Sequence, residues 1–158
     1  MATEYLKVMQ DSLNKKEQLL KGILELSKEQ RDIAEQNTMD WDAFDNNGER
    51  KGELIEALLK LDEGFEHIYE RVREELTQNT SKYATQISAM KDSIRRVSEL
   101  GTQIESLEQR NKVLIEKHFS ETKKEIKQSK VGMKAAMQYY QGMNKINTVD
   151  PQLMDKKS

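Results

Sequence analysis

A single proline, Pro151, stands in the whole chain, and apolar residues recur at three- and four-residue spacing from Tyr5 to about Ile126. Proline removes a backbone donor and breaks helices, so a chain almost free of it can form long ones. The spacing gives each helix one apolar stripe. Such stripes need other helices to cover them, and they offer few pockets for chemistry. The pattern points to an interaction protein before an enzyme.

The 158 residues are enough for one domain, and with 35% of them apolar and 34% charged any core must be narrow. The expected class is all-α: an elongated antiparallel three-helix bundle or coiled coil, with a C-terminal helical extension and a flexible tail. A disordered chain would scatter its apolar residues instead of repeating them. The net charge of −2 argues against general nucleic-acid binding. It hides an asymmetry: residues 40–80 hold twelve acidic and five basic side chains, and residues 112–134 hold seven lysines and three glutamates. These read as oppositely charged solvated faces, or the second as a basic surface for an acidic partner or membrane. A membrane anchor would need apolar area as well, and that face is thin. With no cysteine there is no disulfide or thiolate chemistry. The first thirty residues lack the apolar run of a signal peptide, and no segment approaches the roughly twenty apolar residues of a membrane span. The expected location is the cytoplasm.

The bundle is expected over residues 1–131, with helices at about 3–36, 52–78 and 81–130. Leu6, Met9, Leu13, Leu20, Ile23 and Leu24 make the first stripe, and Leu19 and Leu26 widen it enough to suggest burial between two neighbours. The run TMDWDAFDNNGERKG at 38–52 reads as a loop, because Asp, Asn and Gly favour turns. Trp41 and Phe44 within it are expected to fold back over one end of the bundle, the alternative being an exposed aromatic contact for a partner. In the second helix Ile55, Leu58, Phe65, Tyr69, Val72 and Leu76 follow a heptad. Asp62 holds the remaining seam position, or turns outward while Leu61 packs. The third stripe runs through Tyr83, Ile87, Met90, Ile94 and Val97 to Leu114 and Phe119. Between these helices, Asn79–Lys82 are poor helix formers but include no glycine or proline. A turn there gives the antiparallel bundle. A continuous helix of about eighty residues would instead demand a dimer. The poor helix formers favour the turn.

No catalytic, cofactor-binding or metal-ligating residues are expected. Placing Gly48 at the sixth position of a calcium loop puts Ala43 first and Leu54 twelfth, and neither supplies a carboxylate. The histidines, His67 and His118, have Gly64 and Ile115 three residues before them, not the glutamate of a helical di-iron site. Both lie among charged residues and read as solvated or rim residues.

Residues 132–158 make a Met/Tyr-rich segment that is expected to be partly helical and then mobile. Met133, Met137, Tyr140 and Met143 fall at helical spacing before Asp150-Pro151 ends any helix. Methionine repacks against varied surfaces and tyrosine adds area with a polar handle. The stripe either docks on the bundle's own groove or engages a partner.

The order of EQRDIAEQ, a short acidic stretch, KGELIEALLKLDEGFEHIYERV, QIESLEQRNKVL and the ending AMQYYQGMNKINTVDPQLMDKK resembles the FlgN-type flagellar type III export chaperones (FlgN/FliT-like). The Asn-x-x-Leu step of their later helix is matched here by Asn111 and Leu114. The resemblance implies a cytoplasmic chaperone. It would bind amphipathic helices of hook–filament junction or cap subunits, prevent premature assembly, and deliver them to the type III export apparatus. The helix-in-groove mode fits such cargo. The partner-binding face would comprise Leu114, Phe119 and Ile126, continued by Met133, Met137, Tyr140 and Met143, although the first three also suit simple bundle core. The alternative is a structural coiled-coil scaffold or homodimeric adaptor without a secreted client.

Overall fold

The structure, a computed structural model, describes residues 2–122. They form three long helices, α1 (Ala2–Ala34), α2 (Trp41–Gln78) and α3 (Ala84–Glu121). At about 1.5 Å per residue these span roughly 50 to 57 Å. Side-chain pairs fix the topology. Lys16 meets Asp62 and Glu29 meets Arg50, so α2 runs antiparallel to α1. Gln10 meets Ser93 and Asn111 meets the Ser27 carbonyl, so α3 runs parallel to α1. The fold is an up-down-up helical bundle.

The central helix is α1. It approaches both neighbours closely, whereas α2 and α3 bring no pair of Cα atoms within 8 Å of each other. Its seam explains this position. Leu6, Met9, Leu13, Lys16, Leu20, Ile23, Ser27, Gln30 and Ala34 alternate steps of three and four residues, and all are buried. Small seam residues let backbones approach. Gly22 also faces α2: a Cβ there would stand 3.0 Å from Leu54 Cδ1.

Three apolar clusters stack along the bundle. Leu6, Met9, Leu13, Phe65, Val72, Leu76, Tyr83 and Met90 fill the end nearest the α2–α3 link. Leu20, Ile23, Ile55, Leu58, Val97 and Ile104 fill the middle. Ala34, Met39, Phe44 and Ile115 fill the other end.

The expected loop at 38–52 is a correction, because α2 already begins at Trp41. Asp40 is extended (φ −83°, ψ 95°) and its side chain accepts a hydrogen bond from the Ala43 N–H at 3.1 Å. This is an N-cap, and it supplies a partner for one orphan donor of the first turn. Met39 before the cap and Phe44 four residues after it are buried in one cluster, the geometry of a hydrophobic staple. Gly48 and Gly52 sit within the helix, and no described residue has positive φ.

The link between α2 and α3 is a turn over 79–83. The Asn79 N–H donates to Glu75 O at 3.0 Å and the Tyr83 N–H to Asn79 O at 3.2 Å. The start of α3 at Tyr83 has no side-chain cap. The expected continuation of this helix to about residue 130, and the segment 132–158 with its expected tail, lie outside the described residues.

The expected burial of α1 between two neighbours and the seam position of Asp62 are both found, and only the depth of two leucines differs. Leu19 and Leu26 are only half-buried. Leu19 lines a shallow apolar groove on the α1–α2 surface with Leu54, Ala57 and Leu61. Asp62 keeps its seam position, where Lys16 Nζ lies 3.1 Å away.

Candidate partner-binding face and the polar belt above it

The Trp41 end of the bundle gathers the first turn of α2 and the last turns of α3. Phe44 is buried and points inward. Trp41, one turn earlier, is half-buried and bridges to α3. Its ring lies 4.9 Å from that of Phe119, tilted by 37°, and meets Phe44 edge-on at 5.5 Å. Leu114 is half-buried beside them, while its neighbour Ile115 is the core residue. Of the expected face, Leu114 and Phe119 are thus brought together with Trp41. Ile126, Met133, Met137, Tyr140 and Met143 lie outside the described residues. Trp41 and Phe44 cover the bundle end as expected, but from a helix.

Charge surrounds this apolar end. Asp42 and the half-buried Asp45 lie in the first turns of α2, and burial, then the neighbouring Asp42, push the Asp45 carboxyl upward. Lys112 and Lys117 on α3 are exposed, and the remaining lysines of the basic run lie outside the described residues. Along α2 the acidic run is a solvated face: Glu53, Glu56, Glu63, Glu70 and Glu74 are all exposed.

One to two turns above this end the core turns polar. Lys51 and Glu108 are buried, with Nζ 2.5 Å from Oε1, and Ser27 Oγ hydrogen-bonds the same carboxylate oxygen. In the next layer Asn111 Nδ2 donates to Ser27 O at 2.9 Å and to Gln30 Oε1 at 3.1 Å. Asn47 Nδ2 donates to Leu26 O at 2.8 Å and to Glu29 Oε2 at 2.9 Å. Below it, His118 Nε2 donates to Ala34 O at 2.7 Å. His118 is buried, which corrects its reading as a solvated or rim residue; His67 is exposed, as expected.

The belt is expensive. Removing an ammonium and a carboxylate from water costs on the order of several kcal/mol per ion, and Glu108 Oε2, Asn111 Oδ1, Asn47 Oδ1 and Gln30 Nε2 make no hydrogen bond among the described residues. Desolvation lowers the Lys51 pKa to about 8 from 10.5, the attraction of Glu108 offsetting only part of it. What the belt supplies is alignment. A slip of α2 or α3 by one residue would separate Lys51 from Glu108 and leave both buried without a counter-charge, which is costlier than losing an apolar contact.

Sequence reasoning gave none of these residues a core position, because along these stretches it followed only the apolar stripe. The signal was present in the phase. Continuing the α3 seam in steps of three and four from Val97 and Ile104 lands on Glu108, Asn111, Ile115 and His118. The α2 seam run backward from Ile55 lands on Lys51, Asn47 and Phe44.

Among the described residues no group of three or more His, Asp or Glu is placed to hold a metal ion, and no helix is long and apolar enough to cross a membrane. Comparison with protein-family models, with curated proteins and with solved structures finds no match.

Proposed function

We propose that the chain is a flagellar export chaperone of the FlgN type. In this reading it holds an amphipathic helix of a hook–filament junction or cap subunit in the cytoplasm, prevents premature assembly, and passes the subunit to the type III export apparatus. One observation carries the proposal: Trp41, Leu114 and Phe119 form a half-exposed apolar end face at the point from which the chain continues toward Met133, Met137, Tyr140 and Met143. A rigid aromatic anchor followed in the sequence by an adaptable Met/Tyr stripe suits capture of a helical client. The belt supports the reading by holding α2 and α3 in fixed alignment, so that Trp41 and Phe119 meet. The sequence resemblance supplies the class of client.

The test is a pull-down from a flagellated host's lysate with the full chain and residues 1–131 side by side, read by mass spectrometry. Junction or cap subunits on the full chain, lost on truncation, are expected. Self-association alone on both baits would overturn the proposal.

A second reading, a coiled-coil scaffold or homodimeric adaptor, is favoured by one feature. The heptad row of Leu76, Tyr83, Met90 and Val97 passes through the α2–α3 turn without losing phase.

A further inference from the structure

The turn at 79–83 is set by weak helix formers, not by residues that forbid a helix. None is glycine or proline, and none has positive φ. Helical i to i−4 bonds persist at its borders: Asn79 N–H to Glu75 O, Tyr83 N–H to Asn79 O, and Ile87 N–H to Tyr83 O. Only the few residues between them depart from the helical path.

The start of α3 gains from continuity. It has no side-chain cap, so its first-turn donors lack the partner that Asp40 gives α2. A straight α2–α3 helix would carry the N–H groups of Thr80, Ser81 and Lys82 to the carbonyls of Leu76, Thr77 and Gln78.

The seam already matches the straight path. Leu76, Tyr83, Met90, Val97, Ile104, Asn111 and His118 stand seven residues apart, and all are buried. Straightening would not rotate this row off the face it now buries.

A straight helix would carry α3 away from its own α1 and expose the apolar clusters, so a second copy must supply the missing strand of the bundle. The contacts α3 makes are reproducible between chains. Gln10 to Ser93, Glu17 to Arg96, Lys51 to Glu108 and Ala34 to His118 each join α3 to α1 or α2. None depends on the turn.

We propose that two copies of this chain exchange α3, with residues 79–83 becoming helical, to give an antiparallel dimer of two bundles, each built from α1 and α2 of one copy and α3 of the other. Such an exchange needs no new interface, only a hinge whose helical form is as good as its turn. It rests on the fold alone and stands whether or not the chaperone reading does.

The chain has no cysteine, which makes the test clean. Gln10→Cys and Ser93→Cys in one full-length chain place two thiols where the native side chains lie 2.8 Å apart across α1 and α3. The protein is refolded from denaturant at high and at low concentration, sized by light scattering, and joined with a short bis-maleimide. A dimer after concentrated refolding, cross-linked between chains, and a monomer cross-linked within one chain after dilute refolding are expected. Inserting Gly-Gly-Ser-Gly between Thr80 and Ser81 should lower the dimer-to-monomer ratio about tenfold or more, because glycine disfavours the continuous helix. A monomer under both conditions overturns the proposal. So does a dimer whose cross-links stay within one chain, or one that the insertion leaves unchanged.

Discussion

Lys51 Nζ lies 2.5 Å from Glu108 Oε1, and the pair spans the two helices whose backbones stay apart. Two long charged side chains reach across a gap that α1 closes elsewhere with small or apolar residues. The pair thus ties α2 to α3 directly, while most other ties between helices run through α1.

Breaking this pair on one side should cost more than removing it whole. Lys51→Met leaves Glu108 buried without its cation and should lower stability by about 3–5 kcal/mol. Lys51→Met/Glu108→Leu should match the wild type or exceed it by about 1–4 kcal/mol. Urea denaturation of the three proteins measures both. A single variant within about 1 kcal/mol of wild type would contradict the buried placement.

The lysine also predicts a pH dependence. Its folded pKa, about 8, lies below the ordinary 10.5. Between these values the unfolded chain binds a proton that the folded chain has released, so stability rises with pH across that window and the gain is absent below it. Relative to Lys51→Met/Glu108→Leu, the wild type should gain about 3 kcal/mol from pH 8 to 10.5. The comparison cancels the other lysines and the tyrosines. Parallel stability curves for the two proteins would refute it.

Asp40→Ala should cost about 1 kcal/mol, the usual value of an N-cap. The loss should appear in thermal unfolding as a lower midpoint. If Asp40→Asn, which keeps the accepting oxygen, is equally destabilised, the cap is not the cause.

Gly64 is exposed in the interior of α2, and a Cβ there would meet nothing within 4 Å. Gly64→Ala should raise stability by about 0.5–1 kcal/mol through backbone entropy alone. Gly22→Ala should gain less, since its Cβ presses on Leu54. Denaturation midpoints rank the two, and the opposite order would mean that the α1–α2 contact at Gly22 is looser than described.

The all-α class and the three stripes were legible because Leu6, Met9, Leu13, Leu20, Ile23, Ile55, Leu58, Phe65 and Val72 repeat at helical spacing. The first eleven residues of α2 were not. Asp42, Asp45, Asn46, Asn47 and Gly48 are turn formers by composition, and local propensity lost to a cap, a staple and two inward-facing positions. Asn47 and Lys51 hold seam positions that an apolar count cannot register. The same substitution hid Glu108, Asn111 and His118. Polar residues on a seam are read from phase, not from hydropathy. At the candidate face, Phe119 and Leu114 were legible as a stripe. Their partner Trp41 was legible as a cover for the bundle end or an exposed contact for a partner, but not as a neighbour of Phe119, since that pairing joins positions far apart in sequence.

The most direct test of the chaperone reading uses Trp41, the chain's single tryptophan, which reports on the face itself. The full chain is titrated with a purified hook–filament junction or cap subunit, following Trp41 emission through a subunit variant without tryptophan, and the mixture is then sized by gel filtration. A saturable change in emission and a co-eluting complex are expected, both weakened by Phe119→Ala. No emission change and separate elution with either class of subunit would contradict the chaperone reading.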